Sequence, residues 1–226
     1  MCNCESLCCF GFGGLRGIVF GRGERRRSAS ELAFIITAQA DEFLKIATKA
    51  HRFQNSESRH RCKPAEDVLK INVDGSFMAE MRKGGWGFVI RDSEGAVMHA
   101  GAGTIPRAMD AFHTEVLACL AGLKAASEKG MTKVMVDTDS TMLVMALKGN
   151  TFALAPAGGI IHDIKVLIES SFVFFSASYS PRVCNTVAQA LAARGCNCSP
   201  DADLFWDGLP AGMETLVAED ILAPIS

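Results

Sequence analysis

Apolar and polar residues alternate with a period of two where the chain becomes most regular. Leu69, Ile71 and Val73 interleave with Lys70, Asn72 and Asp74, the pattern of a strand. Gly84 and Gly85 open a second strand over residues 86–91, and the turn signal Asp92-Ser93-Glu94-Gly95 reverses the chain into a third over 96–102. These three predict an antiparallel meander. The period then lengthens: Phe112, Val116, Leu120 and Leu123 recur at helical spacing within 111–129, and Gly130 ends that helix where a left-handed cap costs least. A short apolar strand at 134–136 is followed by helices over 140–147 and 160–168, a fifth strand over 172–177 and a last helix over 187–193. Strands joined through helices lie parallel. The expected fold is therefore α/β, a mixed five-stranded sheet of a three-strand meander plus two parallel strands, flanked by helices.

Upstream of this region the pattern weakens. Leu32, Phe34, Ile35, Ala38, Phe43, Leu44 and Ile46 predict one amphipathic helix within 31–52. Gly11, Gly13, Gly14 and Gly17 miss the spacings of phosphate-binding and dinucleotide loops, so the first residues read as a leader. Charge changes at the same place. Residues 1–66 hold eleven Lys and Arg against seven acids, including the run Arg25-Arg26-Arg27, whereas 67–226 hold twelve against eighteen. Three segments follow: a basic leader (1–66), a folded domain (67–195) and a C-terminal tail (196–226).

With 226 residues, 49% of them hydrophobic, the chain can bury a core, which excludes disorder as its main state. Lys and Arg number 23 and Asp and Glu 25, so bulk charge does not grip polyanions. No apolar run reaches membrane-spanning length and no secretory signal opens the chain, so the expectation is an intracellular protein with no membrane partner, nucleus and cytoplasm both being open. The nine cysteines form no regular framework and are expected to be free thiols.

Three acids stand where a carboxylate needs a reason. Asp74 ends the first apolar strand, Glu115 shares a helix face with the small residues Ala118, Cys119 and Gly122, and Asp139 ends the fourth strand. Each has a structural reading: Asp139 as a helix cap, Asp74 as a turn residue before Gly75, Glu115 as an acid favoured near a helix N-terminus. If they converge, they form an all-oxygen site of the kind that takes Mg2+ or Mn2+, and two such ions can drive phosphodiester hydrolysis.

The stretches Lys70-Ile-Asn-Val-Asp-Gly-Ser-Phe, Gly85-Trp-Gly-Phe-Val-Ile-Arg-Asp-Ser-Glu-Gly, Thr114-Glu-Val-Leu-Ala-Cys-Leu-Ala-Gly-Leu, Val136-Asp-Thr-Asp-Ser and Ser180-Pro-Arg-Val-Cys-Asn-Thr-Val-Ala-Gln-Ala-Leu-Ala occur in this order. Together they closely resemble the ribonuclease H-like domains of plant reverse-transcriptase-related, retroelement-derived proteins, of the type 1 ribonuclease H family. The resemblance implies a nuclease that holds two divalent ions on Asp74, Glu115 and Asp139 and cuts the RNA strand of RNA/DNA hybrids. Asp137 is not among the implied ligands.

The chain departs from the family pattern at two positions. The fourth acidic position, four residues after Asn185, is Gln189, and the position of a loop histidine is Tyr179. No basic protrusion lies between Gly149 and Gly158, so phosphate contacts fall to scattered cations such as Arg82, Lys83, Arg107 and Arg182. Gly75 and Ser76 are expected at the 2′-hydroxyls, with Tyr179 and Asn185 completing the nucleic-acid face. The chain is expected to act as a monomer. The rival reading is a retroelement-derived domain that binds nucleic acid or serves as a scaffold without cutting, which Gln189 and Tyr179 favour and the three acids oppose.

Overall fold

Leu69–Met78 forms β1, and both of its faces are covered, so its alternation separates two interiors rather than a core from solvent. A computed structural model describes residues 28–30, 33, 37, 64–149, 152, 155–199 and 202–222. β1 turns through Arg82, whose φ of 47° is left-handed, into β2 (Lys83–Arg91), which pairs antiparallel with it and with β3 (Val97–Ile105). Helix α1 (Ala111–Glu128) starts at Asp110, whose carboxylate accepts the His113 N–H at 2.7 Å, and ends before Gly130 at φ 70°. Then follow β4 (Lys133–Thr138), α2 (Thr141–Lys148), α3 (Gly158–Ser171), β5 (Phe174–Tyr179), a 3-10 turn (Arg182–Cys184), α4 (Thr186–Cys196), β6 (Leu204–Trp206) and α5 (Glu214–Leu222).

The sheet order is β5-β4-β1-β2-β3-β6, with β1, β4 and β5 parallel and the remaining pairs antiparallel. The mixed α/β architecture is the expected one, with six strands instead of five. The sixth is only three residues long and has no periodicity of its own; its pairing with β3 makes it a strand, Ala100 lying opposite Trp206. The segment 196–226, read from sequence as a tail, thus supplies a strand and a helix.

Glycines set how closely the helices approach. A Cβ on Gly87 would lie 2.3 Å from the Ala192 nitrogen, and one on Gly85 2.3 Å from the Ala192 carbonyl oxygen, so α4 rests directly on the backbone of β2. On the opposite face Gly122 of α1 sits against Ile71, Val73 and Phe88. Each face has its own apolar cluster: Ile71, Val73, Phe88, Val134, Val136, Leu123 and Leu143 on one side, Val89, Ala100, Ala102, Val187 and Leu191 on the other.

The chain divides into two compact units, Met1–Asp41 and Glu42–Ser226. Of the first, Ser30, Ala33 and Thr37 are helical, and the Thr37 hydroxyl donates to the Ala33 carbonyl at 2.8 Å. The rest of the helix expected within 31–52, the Gly-rich leader and the arginine run lie outside the described residues. Cys119, Cys196 and Cys198 are free thiols. Among the described residues no helix is long and apolar enough to cross a membrane.

Candidate metal centre

Asp74 lies on β1 opposite Gly87, on the face that α4 covers, and is 6% exposed. Glu115 comes from α1 on the other face. It reaches the same place because Gly75 lets the helix backbone close on the strand: a Cβ there would lie 2.3 Å from the Thr114 carbonyl carbon and 2.4 Å from the Glu115 nitrogen. Asp139 follows β4 directly. It does not cap α2, since Ser140 does so, its hydroxyl accepting the Leu143 N–H at 3.3 Å. One carboxylate oxygen from each of Asp74, Glu115 and Asp139 lies within 4.8 Å of the others. The three acids thus meet beside the end of β4; Asp74, expected to end its strand, instead lies mid-strand, β1 running on to Met78 alongside β2.

Electrostatics at this place favour a proton or a cation. Burial, then the neighbouring Asp139, raise the Asp74 carboxyl to about 7, with Arg182 opposing. Glu115 is pushed well above the ordinary carboxylate range by burial first and by Asp74 and Asp139 next. Asp139 is raised mainly by burial. Among the described residues the compensating charge is slight: Arg182 Nε is 3.9 Å from Asp139 Oδ2, and that side chain is 78% exposed. Glu115 Oε2 is buried without a hydrogen-bond partner. Three convergent hard-oxygen donors, one of them orphaned, fit a divalent cation and suit the oxygen-seeking ions better than zinc.

The other expected residues separate into groups. Arg82 is exposed and Lys83 half-buried at the start of β2, while Gly75 and Ser76 line the end of β1. Tyr179 ends β5 beside Thr138. Gln189 is half-buried on α4, and its amide donates to the Arg182 carbonyl at 2.9 Å, tying α4 to the 3-10 turn. Asn185 is a correction. Expected on the nucleic-acid face, it is fully buried, its amide donating to the Val73 carbonyl at 2.9 Å and accepting from Asn72 at 3.1 Å. Its place in the motif follows from holding β1, not from touching a ligand. Asp137 is held in a buried ion pair with Lys70 and accepts a hydrogen bond from Ser178. Asn72, Arg91 and Asp220 were given no role by the sequence reading; Asn72 and Arg91 are polar side chains on strands whose neighbours are buried, whereas Asp220, on α5, had no such local signal.

The chain is similar in fold to several solved ribonucleases H. They include the N-terminal RNase H domain of Rv2228c from Mycobacterium tuberculosis, solved as a fusion with maltose-binding protein (24% identity, TM-score 0.53, covering 57% of this chain and 94% of that one). LC11-RNase H1, isolated from compost by a metagenomic approach, is another (21% identity, TM-score 0.54, 58% and 96%). The same enzyme in complex with an RNA/DNA hybrid is a third (19% identity, TM-score 0.52, 57% and 96%). No curated protein matches the chain. The family model described as reverse transcriptase-like matches residues 72–195, which hold most of β1, all of β2 to β5 and all three converging acids. On that match the chain, with its RNase H-like fold, belongs to the reverse transcriptase-like family.

Proposed function

We propose that this protein is a ribonuclease H, an endonuclease that hydrolyses the RNA strand of RNA/DNA hybrids with divalent ions held by Asp74, Glu115 and Asp139. The observation that carries this reading is the convergence of those three carboxylates within 4.8 Å. Mg2+ or Mn2+ fits the donor set, and a pair of ions is the reading taken over from the sequence. When bound between such carboxylates, these ions supply an activated water and neutralise the leaving oxygen. The chain's own residues do the rest. Glu115 and Asp74, raised by burial, would have to be deprotonated to hold a dication. Arg182, exposed beside Asp139, is placed to attract a phosphate of the approaching backbone. Gly75 and Ser76 bring main chain close to the site, where contacts to 2′-hydroxyls would distinguish RNA from DNA.

One observation favours the rival reading, a retroelement-derived binder that no longer cuts. The position of the fourth acid is Gln189, and its amide group holds the Arg182 carbonyl. The deciding experiment compares the wild-type chain with Asp74→Asn on a labelled hybrid in Mg2+ and in Mn2+. The expected result is cutting of the RNA strand alone, reduced about a thousandfold in the variant. A folded wild-type chain that leaves the hybrid intact, yet binds it as tightly as Asp74→Asn does, would establish the binder instead.

A further inference from the structure

Asp220, near the end of the described chain, is 1% exposed and faces two partners at once. Its Oδ2 accepts from Arg91 Nη2 at 2.8 Å, an ion pair whose Arg91 side chain is 3% exposed. Its Oδ1 accepts from the Thr186 backbone N–H at 3.0 Å and from the Thr186 hydroxyl. Thr186 begins α4, and the preceding residue, Asn185, gives that helix no side-chain cap. Asp220 therefore supplies from α5, across 34 residues of sequence, the carboxylate that an uncapped helix N-terminus favours.

The network continues inward from the same ion pair. Arg91 Nη1 reaches Asn72 Oδ1 at 3.5 Å, Asn72 donates to Asn185 Oδ1 at 3.1 Å, and Asn185 donates to the carbonyl of Val73 at 2.9 Å. Val73 is the residue before Asp74. Asn72 and Asn185 are wholly buried, so water cannot replace a lost partner in this chain of contacts.

We propose that Asp220 is a positioning residue for the acidic centre, and that α5 is part of the frame that holds Asp74. It fixes the start of α4 directly and the backbone of β1 through Arg91, Asn72 and Asn185. The claim rests on the nuclease reading only for its effect on cutting; its effect on cation binding stands without it.

The test uses the full chain in three variants: Asp220→Asn, the milder Thr186→Val, which leaves the ion pair intact, and Asp207→Asn as a control on an exposed carboxylate that meets Lys129 and His99. Mn2+ affinity by calorimetry, kcat and KM on a hybrid, and melting temperature are measured together. Asp220→Asn is expected to weaken Mn2+ binding and lower kcat by about tenfold each, with KM within about twofold. Thr186→Val should move both in the same direction by about two- to threefold, and it carries the test if Asp220→Asn does not fold. The control should leave both unchanged. A lower melting temperature with wild-type Mn2+ affinity and kcat would make Asp220 purely structural and overturn the proposal. A wild-type chain that binds Mn2+ without cutting removes the nuclease reading alone, because the Mn2+ affinities still decide the role of Asp220. One that binds no Mn2+ removes both.

Discussion

The two faces of β1 are equally hidden from water and chemically opposite. Toward α1 lie Ile71 and Val73, joined by Phe88, Val134 and Val136 in a dry apolar layer. Toward α4 lie Lys70, Asn72 and Asp74, beside Arg91 on β2 and Asp137 on β4. The apolar face gains stability from area removed from water and tolerates exchange of one hydrophobic group for another of like volume. The polar face gains little net stability and requires that each group keep its partner, because a buried charge left alone costs several kcal/mol. Stability and chemistry are thus divided between the two sides of a single strand. They meet only where Glu115 crosses from the apolar side to join Asp74.

Two glycines test that meeting point, Gly75 under Glu115 and Gly87 opposite Asp74, with the same steric insult. A methyl group at Gly87 would collide with the Ala192 backbone, and one at Gly75 with the Thr114–Glu115 backbone, each at 2.3 Å. Gly87→Ala and Gly75→Ala should each lower stability by about 1–3 kcal/mol in chemical denaturation. Gly75→Ala should in addition reduce hybrid cleavage about a hundredfold, since it pushes Glu115 away from Asp74 and a displacement near 1 Å is enough for such a loss. If the Gly87 variant loses as much cleavage as the Gly75 variant at matched stability, the close approach of Glu115 to Asp74 is not what sets the rate.

How much of this was legible in the sequence depends on whether a feature is local. The alternation in Leu69–Met78 and the 3.6-residue recurrence in α1 are written in neighbouring residues, so those elements were legible. The acids at 74, 115 and 139 could be named because each ends or interrupts an apolar pattern. That Ser140 and not Asp139 caps α2 depends on one side-chain rotation, which spacing does not reveal. β6 became visible only through its partner β3. Asn185 stood in a motif, but a motif does not say whether a side chain faces solvent or the Val73 carbonyl. The role of Asp220 depends on Thr186 and Arg91, which are brought to it by the whole fold.

Proton linkage gives a second, smaller contrast. Burial and the neighbouring Asp139 push the Asp74 carboxyl up from its ordinary 3.8 to about 7, so between those values the folded state holds more protons than the unfolded one. The contribution of Asp74 to the stability of the metal-free chain should therefore be fully present below pH 3.8 and be lost as pH rises through about 7, with Glu115 and Asp139 acting in the same direction. Divalent cation binds the deprotonated carboxylates, so its stabilising effect should grow over the same interval. Melting curves at several pH values with and without Mg2+ read both trends. Asp74→Asn should flatten the metal-free slope, whereas an unchanged slope would place the titrating groups elsewhere.

The smallest effect is expected at Gln189, where the two kinds of gain oppose each other within one side chain. Its amide donates to the Arg182 carbonyl and so steadies the turn that carries Arg182, a neutral hydrogen bond with a net value of about 1 kcal/mol. Gln189→Asp removes that donor and puts a half-buried carboxylate where the resemblance implies a fourth acid, and a Coulombic contact from there to a dication would contribute about 1 kcal/mol. The variant should melt a few degrees lower without metal and bind Mn2+ about threefold more tightly, so that saturating Mn2+ recovers most of the lost stability. Calorimetry with and without Arg182→Ala separates the causes. If the gain in Mn2+ affinity survives removal of the guanidinium, the added carboxylate acts on the ion directly; if it vanishes, the substitution worked by releasing Arg182 from Asp139, and the polar face controls the centre through its cation instead of through its count of acids.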